Sequence, residues 1–267
     1  MSVRDAGGVI VYSDLDGTMV GPRGCFFRAA DRSVTVEPAQ ALTDFLAAGG
    51  TLVLVSGRSR PQLQEAALIF GADGFVAELG AIVARDAGRE VDLLPTDGAP
   101  ADDALVEALL ADFAGRLEYH APWHLGHEVD VMVRGSVTGD EARAWLDSHG
   151  CPDLELRDNG VLPPQRRGTT LGALDGPMRV YHLVPSGVSK GAGVAYDLDR
   201  RGLTPADAVA VGDSVSDLAM APYVSRFFLV ANGRAHLPGD LPANVTVTDG
   251  EVGLGWSEAI RWATRAG

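Results

Sequence analysis

Val9-Ile10-Val11-Tyr12-Ser13-Asp14-Leu15-Asp16-Gly17-Thr18-Met19-Val20 is the stretch on which the reading of this chain turns. Val9 to Tyr12 is a short apolar run rich in β-branched residues, the composition of a strand buried on both faces. Apolarity stops at Ser13, and Asp14-Leu15-Asp16-Gly17-Thr18 places two carboxylates two residues apart at the strand's carboxyl end. Open α/β sheets hold their ligands at that end. Two anions at the lip of an apolar strand repel each other and resist burial unless a cation or hydrogen bonds offset both effects. Mg²⁺ is the simplest such cation, since it takes one or two carboxylates and completes its shell with water and phosphate oxygens. A carboxylate beside it is a candidate nucleophile toward phosphorus. Asp and Gly equally suit an ordinary turn, so the other strand ends carry the decision.

Three later segments place polar residues in comparable positions. Thr51 to Val55 is a second apolar run, ending in Ser56-Gly57-Arg58 before a helix expected from about Pro61 to Phe70. A hydroxyl, free N–H groups and the helix dipole then converge on one point, which suits an anion; Ser56 also suits a helix cap. Arg58 either contacts phosphate or holds the loop. Lys190, in Pro185-Ser186-Gly187-Val188-Ser189-Lys190-Gly191, stands at a helix start where the dipole disfavours a cation. A bound anion resolves that conflict, although the GxxxxGK[ST] spacing of a P-loop is absent. Finally, Ala208 to Val211 runs into Gly212-Asp213-Ser214-Val215-Ser216-Asp217, a second acidic pair after a strand.

Taken in order, these four motifs resemble the signatures of the haloacid dehalogenase superfamily, in its sugar-phosphatase branch with a large cap between the second and third signatures. The resemblance covers roughly residues 8–85 and 180–265, and it implies an α/β fold: a Rossmann-like, doubly wound parallel sheet with an inserted α+β cap. It implies that Asp14 is the nucleophile and Asp16 the general acid and base, and that Ser56, Gly57, Arg58 and Lys190 bind the phosphoryl group. It also implies Mg²⁺ as cofactor, held by Asp14, the Asp16 carbonyl and Asp213, with Asp217 in the outer shell. Two departures stand out: Leu79 in Glu78-Leu79-Gly80-Ala81 and Ser216 each occupy a position where relatives have Asn. The closing Gly255-Trp256-Ser257-Glu258-Ala259-Ile260 resembles the ending of mannosyl-3-phosphoglycerate phosphatases. The implied activity is hydrolysis of a small phosphorylated sugar or sugar-acid conjugate through an aspartyl-phosphate. A phosphohexomutase of the same fold and a catalytically silent binding domain are the alternatives.

Between the second and third motifs the pattern changes. Residues 85–180 read as the inserted α+β unit, leaving 1–84 and 181–267 as the core. Asp102 to Gly115 and Gly139 to His149 have helical spacing, while Val129 to Val133 and Leu154 to Arg157 alternate as half-exposed strands do. Met178 to Val184 reads as the strand returning to the core. Arg157-Asp158-Asn159-Gly160 reads as a strand ending in a turn, and Arg157, Asn159 and Arg167 are the substrate candidates of this segment. His120, His124 and His127 have neither the helix nor the matching cysteine or acid that a zinc site requires, and read as surface or substrate-loop residues.

The 267 residues suffice for one large or two modest domains with a sizeable core. A formal charge of −14 argues against a nucleic-acid backbone as partner. No apolar run approaches the roughly 18 residues of a membrane span. Cys25 and Cys151 stand far apart with no CxxC and no signal-peptide pattern, which points to a reducing, cytosolic setting with free thiols. The expected partner is a small phosphorylated molecule, acted on by a monomer or homodimer.

Overall fold

The apolar run ending at Ser13 forms β1 (Ile10–Ser13), in the middle of a large sheet. The computed structural model describes residues 8–162, 168–237 and 239–266. The other strands of this sheet are β2 (Thr51–Val55), β3 (Gly74–Ala77), β4 (Ile82–Arg85), β5 (Glu90–Leu93), β10 (Ala208–Gly212), β11 (Arg226–Leu229) and β12 (Val245–Val247). Their order is β12-β11-β10-β1-β2-β3-β4-β5. All pairings from β12 to β3 are parallel, whereas β4 and β5 add an antiparallel edge. Because β1 lies between β2 and β10, all three carboxyl ends open onto one edge.

Alternation along these strands builds two cores. Val11, Leu52, Leu54, Val209 and Val211 face one way, against α1 (Glu37–Ala47), α2 (Arg60–Phe70) and α7 (Val252–Ala266). Ile10, Tyr12, Val53, Val55, Ala208 and Ala210 face the other, against α5 (Lys190–Arg201) and the segment after α6 (Val215–Leu218). This is the doubly wound architecture expected from the sequence. Burial on both faces is what demanded continuous apolar runs of the central strands.

A second sheet has the order β6-β7-β9-β8, all antiparallel: β6 (Leu117–Tyr119), β7 (Val131–Gly135), β8 (Leu154–Val161) and β9 (Arg179–Pro185). The helices α3 (Asp103–Asp112) and α4 (Gly139–Ser148) cover one face, where Val106, Leu109, Trp145 and Leu146 meet Val133, Leu154, Tyr181 and Leu183. The opposite face carries Arg134, Arg157, Asn159 and His182.

Three sequence expectations shift. The large sheet runs on to Leu93, so the changeover falls between Leu93 and Asp103 and not at 85. Met178 to Val184 does not return to the core sheet: β9 pairs with β7 and β8, and the chain crosses over only after Pro185. Arg157 to Gly160 is not a turn, because β8 continues to Val161 with a bulge between Asp158 and Val161. Pairing with β9 overrides the local turn preference of Asp-Asn-Gly.

Candidate active site

The carboxyl edge of β1, β2 and β10 gathers Asp14, Ser56 and Asp213, and the amino end of α5 brings Lys190 to them. Lys190 Nζ donates to Asp14 Oδ1 at 2.8 Å and to Asp217 Oδ1 at 2.6 Å, and all three residues are buried. The other oxygen of Asp217 accepts from the Asp213 and Ser214 N–H groups and from Ser214 Oγ, at 3.1, 2.9 and 2.6 Å. Asp217 therefore both anchors the lysine and locks the loop after β10. Among the described residues Asp213 has neutral side-chain donors, Thr18 Oγ1 at 3.4 Å and Asn232 Nδ2 at 3.3 Å. Gly17 is required beside it: its φ is +88°, and a Cβ there would lie 2.4 Å from Asp213 Oδ2. Asn232 also donates to the Gly17 carbonyl at 2.9 Å and so ties the loop after β11 to the first motif.

The electrostatics of this cluster are unbalanced. Burial pushes the Asp14 carboxyl well above its ordinary range; Asp217 adds to the shift and Lys190 opposes it. Burial also raises Asp213, reinforced by the charges of Asp14 and Asp217. For Lys190 burial works against the charged form, but the two aspartates prevail and hold its proton firmly. Carboxylate oxygens of Asp14, Asp213 and Asp217 lie within 4.8 Å of one another with a single lysine among them. An all-oxygen donor set short of positive charge fits a hard divalent cation.

The two remaining motif residues are paired with each other. Arg58 grips Asp16 with two parallel bonds, Nε to Oδ2 at 2.7 Å and Nη2 to Oδ1 at 2.8 Å. Gly24, in the loop after β1, sits over this pair. Arg58 thus meets a carboxylate at the mouth of the site, where a bidentate guanidinium is strongest. Ser56 is buried, and its Oγ accepts from the Arg58 N–H at 3.2 Å. Leu79, with φ +60°, is buried in the turn after β3, and its N–H donates to the Ser56 carbonyl at 3.2 Å. Asn tolerates that backbone region better than Leu does, so here apolar burial holds the conformation.

The smaller sheet contributes a polar wall. His182 is fully buried, with Nδ1 on Asp130 and Nε2 at 3.2 Å from Asn159 Nδ2. Asn159 Oδ1 accepts from Ser216 Oγ at 3.1 Å. A Cβ on Gly57 would lie 3.0 Å from the His182 ring and 3.3 Å from Asn159 Nδ2, so this wall rests directly on the loop after β2. Asp130 also meets His127, and burial notwithstanding, the two histidines hold its carboxyl down at about 2. Glu78, in the turn after β3, accepts N–H bonds from Glu128, Val129 and Asp130 at 2.8–3.2 Å.

Among the sequence candidates, Asn159 joins the core motifs, whereas Arg157 pairs with Glu155 at 2.8 Å. Arg167 lies outside the described residues. The histidine expectation needs correction: His120 is buried and the His127 ring is only 2 % exposed. Glu78, His127 and Asp130 also group closely enough for a metal, but their acidic oxygens are already engaged by backbone N–H groups and imidazoles. Sequence reading missed Asp130 and His182. The available signal was a lone polar residue within each of two alternating strand segments, Val129-Asp130-Val131 and Tyr181-His182-Leu183.

No family model matches the chain. It is 26% identical over 260 residues to a phosphoglycolate phosphatase of Methanopyrus kandleri, covering 94% of this chain and 95% of that protein. Among solved structures, the sucrose-phosphatase of Synechocystis sp. PCC6803, in complex with sucrose and phosphate, superposes with a TM-score of 0.65 at 15% identity, covering 96% of this chain and 97% of that one. A haloacid dehalogenase-like hydrolase from Bacteroides thetaiotaomicron gives 0.61 at 13% identity, over 96% and 99% of the two chains. Fold and relatives together define a phosphatase-type enzyme. The chain has the fold of haloacid dehalogenase-like hydrolases, with a second, smaller sheet beside the large one.

Proposed function

We propose that the chain is a Mg²⁺-dependent phosphomonoester hydrolase whose substrate is a compact phosphorylated hydroxy acid or sugar. The observation that carries this reading is Lys190 bonded at once to Asp14 and Asp217, residues 176 and 27 positions away in sequence, beside an Asp213 that among the described residues forms no ion pair. Asp14 attacks phosphorus in line, forming an aspartyl-phosphate as the ester P–O bond breaks. Asp16, released from Arg58 and protonated, gives its proton to the departing alkoxide, then takes one from the water that cleaves the acyl phosphate. Lys190, Ser56 Oγ and the Gly57 N–H hold the equatorial oxygens, since positioning and electrostatics supply most of the acceleration in phosphoryl transfer. A divalent ion on Asp14 and Asp213 would offset charge on the phosphoryl oxygens.

Two observations favour a small leaving group. The polar wall of the smaller sheet comes within 3.0 Å of where a Cβ on Gly57 would lie, and the Methanopyrus relative is named for phosphoglycolate. The test is phosphate release with and without Mg²⁺ from 2-phosphoglycolate, sucrose 6-phosphate and a set of hexose phosphates, with Asp14→Asn as control. The expected result is metal-dependent turnover, highest on the smallest esters and lost by at least about 10³-fold in the variant. Turnover by Asp14→Asn at the parent rate would remove the proposed nucleophile.

A further inference from the structure

Asn159 bridges two loops that belong to the large sheet while itself standing on the smaller one. Its Oδ1 accepts from Ser216 Oγ at 3.1 Å, and its Nδ2 lies beside Gly57, 3.3 Å from where a Cβ on that residue would be. One amide N–H is used on His182 Nε2 at 3.2 Å. Among the described residues the second has no acceptor, although it stands next to the loop that carries Ser56.

The histidine explains how the amide keeps this orientation. Asp130 engages Nδ1 of His182, which leaves the Nε2 lone pair to receive the Asn159 N–H in the neutral tautomer. Asp130 is fixed in turn, because Glu78 accepts the N–H of Asp130 and of the two residues before it. A run of buried partners thus extends from the turn after β3, through the smaller sheet, to Ser216.

We propose that Asn159 donates its second N–H to an oxygen of the transferred phosphoryl group, and that His182 is the positioning residue that aims it. The inference rests on the phosphatase reading and deepens it. Ser216 has one hydroxyl proton and two acceptors beside it, Asn159 Oδ1 at 3.1 Å and Ser214 Oγ at 2.8 Å, so the amide that reaches the phosphoryl group at this corner arrives from the smaller sheet. The site is then complete only while that sheet is seated.

Kinetics on two esters with unlike leaving groups, 2-phosphoglycolate and p-nitrophenyl phosphate, test this. Asn159→Ala should lower kcat/KM by about 100-fold on both, as loss of a transition-state donor does. Asn159→Asp, equal in size but anionic, should fall at least tenfold further, and inorganic phosphate should inhibit it more weakly. His182→Ala should match Asn159→Ala, and the double variant should lose no more than either single one. If far-UV circular dichroism shows His182→Ala to be unfolded, His182→Gln gives the same comparison. The proposal is overturned by Asn159→Ala within threefold of the parent, by a loss confined to one leaving group, or by Asn159→Asp equal to Asn159→Ala. A parent enzyme that hydrolyses neither these esters nor the sugar phosphates would instead defeat the phosphatase reading itself.

Discussion

Asp14 and Asp213 sit where an anion is disfavoured, and the sign of the consequence follows from their raised carboxyls. The folded protein holds these protons more tightly than the unfolded chain, so both groups support folding below the ordinary carboxylate range. That support is lost as pH climbs through their folded values. A divalent cation reverses the loss by binding the ionised pair. Saturating Mg²⁺ should therefore raise Tm by roughly 5–10 °C at pH 8 and far less at pH 5, measured by thermal melts with and without EDTA. An equal gain at both pH values would place the ion elsewhere. Asp130 behaves oppositely. Its carboxyl is held down at about 2, so it supports folding above the unfolded value of 3.8 and loses that support as pH falls through the folded one. Urea unfolding of the parent should lose about 2 kcal/mol more than Asp130→Asn between pH 5 and pH 2; parallel losses would contradict the assignment. These two residues also mark what could be read beforehand. Asp14 was legible because a carboxylate pair interrupts an apolar strand, a purely local anomaly. Asp130 and His182 were not, because they meet only through the pairing of β7 with β9, which sets Met132 opposite His182 and Asp130 diagonally beside it.

Elements set the approach of the two halves of the site. In the turn after β3, Glu78, Leu79 and Gly80 all have positive φ, and the Gly80 value is +117°. A Cβ at Gly80 would stand 2.0 Å from the carbonyl oxygen of Ser189, the residue that caps α5 just before Lys190. Glycine here permits both the backbone angle and the close passage of two chain segments. Gly80→Ala should cost roughly 2–3 kcal/mol in urea unfolding, with a drop in kcat as the Lys190 end of α5 is pushed back; unchanged stability would show that the turn relaxes freely. The opposite layer is tied in by α7, whose buried Trp256 donates Nε1–H to Ser13 Oγ at 2.8 Å, one residue before Asp14. Central elements such as β1, β2, β10 and α5 were evident from sequence, since buried parallel strands are continuous apolar runs with sharp ends. The edge strand of the β4–β5 hairpin, Glu90-Val91-Asp92-Leu93, falls within the 85–180 segment that the sequence sets apart, and it alternates like a half-exposed strand. The tail of β8 reads as a turn because Asp-Asn-Gly favours one locally, while β9 and the Asp158–Arg179 ion pair at 2.5 Å hold it extended.

At the scale of the whole molecule, the question is what seats the smaller sheet on the larger one. Among the described residues no helix is long and apolar enough to cross a membrane. The change in strand pattern sets residues 85–180 apart in sequence, yet the contact holding the smaller sheet down could not be read there. Glu78 and residues 128–130 lie about 50 positions apart and meet only through tertiary structure. The Glu78 carboxylate takes up backbone N–H groups that would otherwise be buried unpaired, and it does so although burial and the nearby Asp130 charge both raise its carboxyl. The Arg60–Glu128 pair at 2.6 Å is more exposed and contributes less. Glu78→Gln keeps the shape but leaves one acceptor oxygen, with an NH₂ group turned on the remaining donors. It should release the seat at a cost of about 1–3 kcal/mol, which is about 10- to 100-fold faster hydrogen exchange at the amides of Glu128, Val129 and Asp130. The central strands β1 and β10 should keep their parent exchange rates, because the change loosens one layer from another without unfolding either. Equal acceleration in both sheets would mean that Glu78 serves global stability, and no acceleration at 128–130 would mean that the smaller sheet is seated by other contacts.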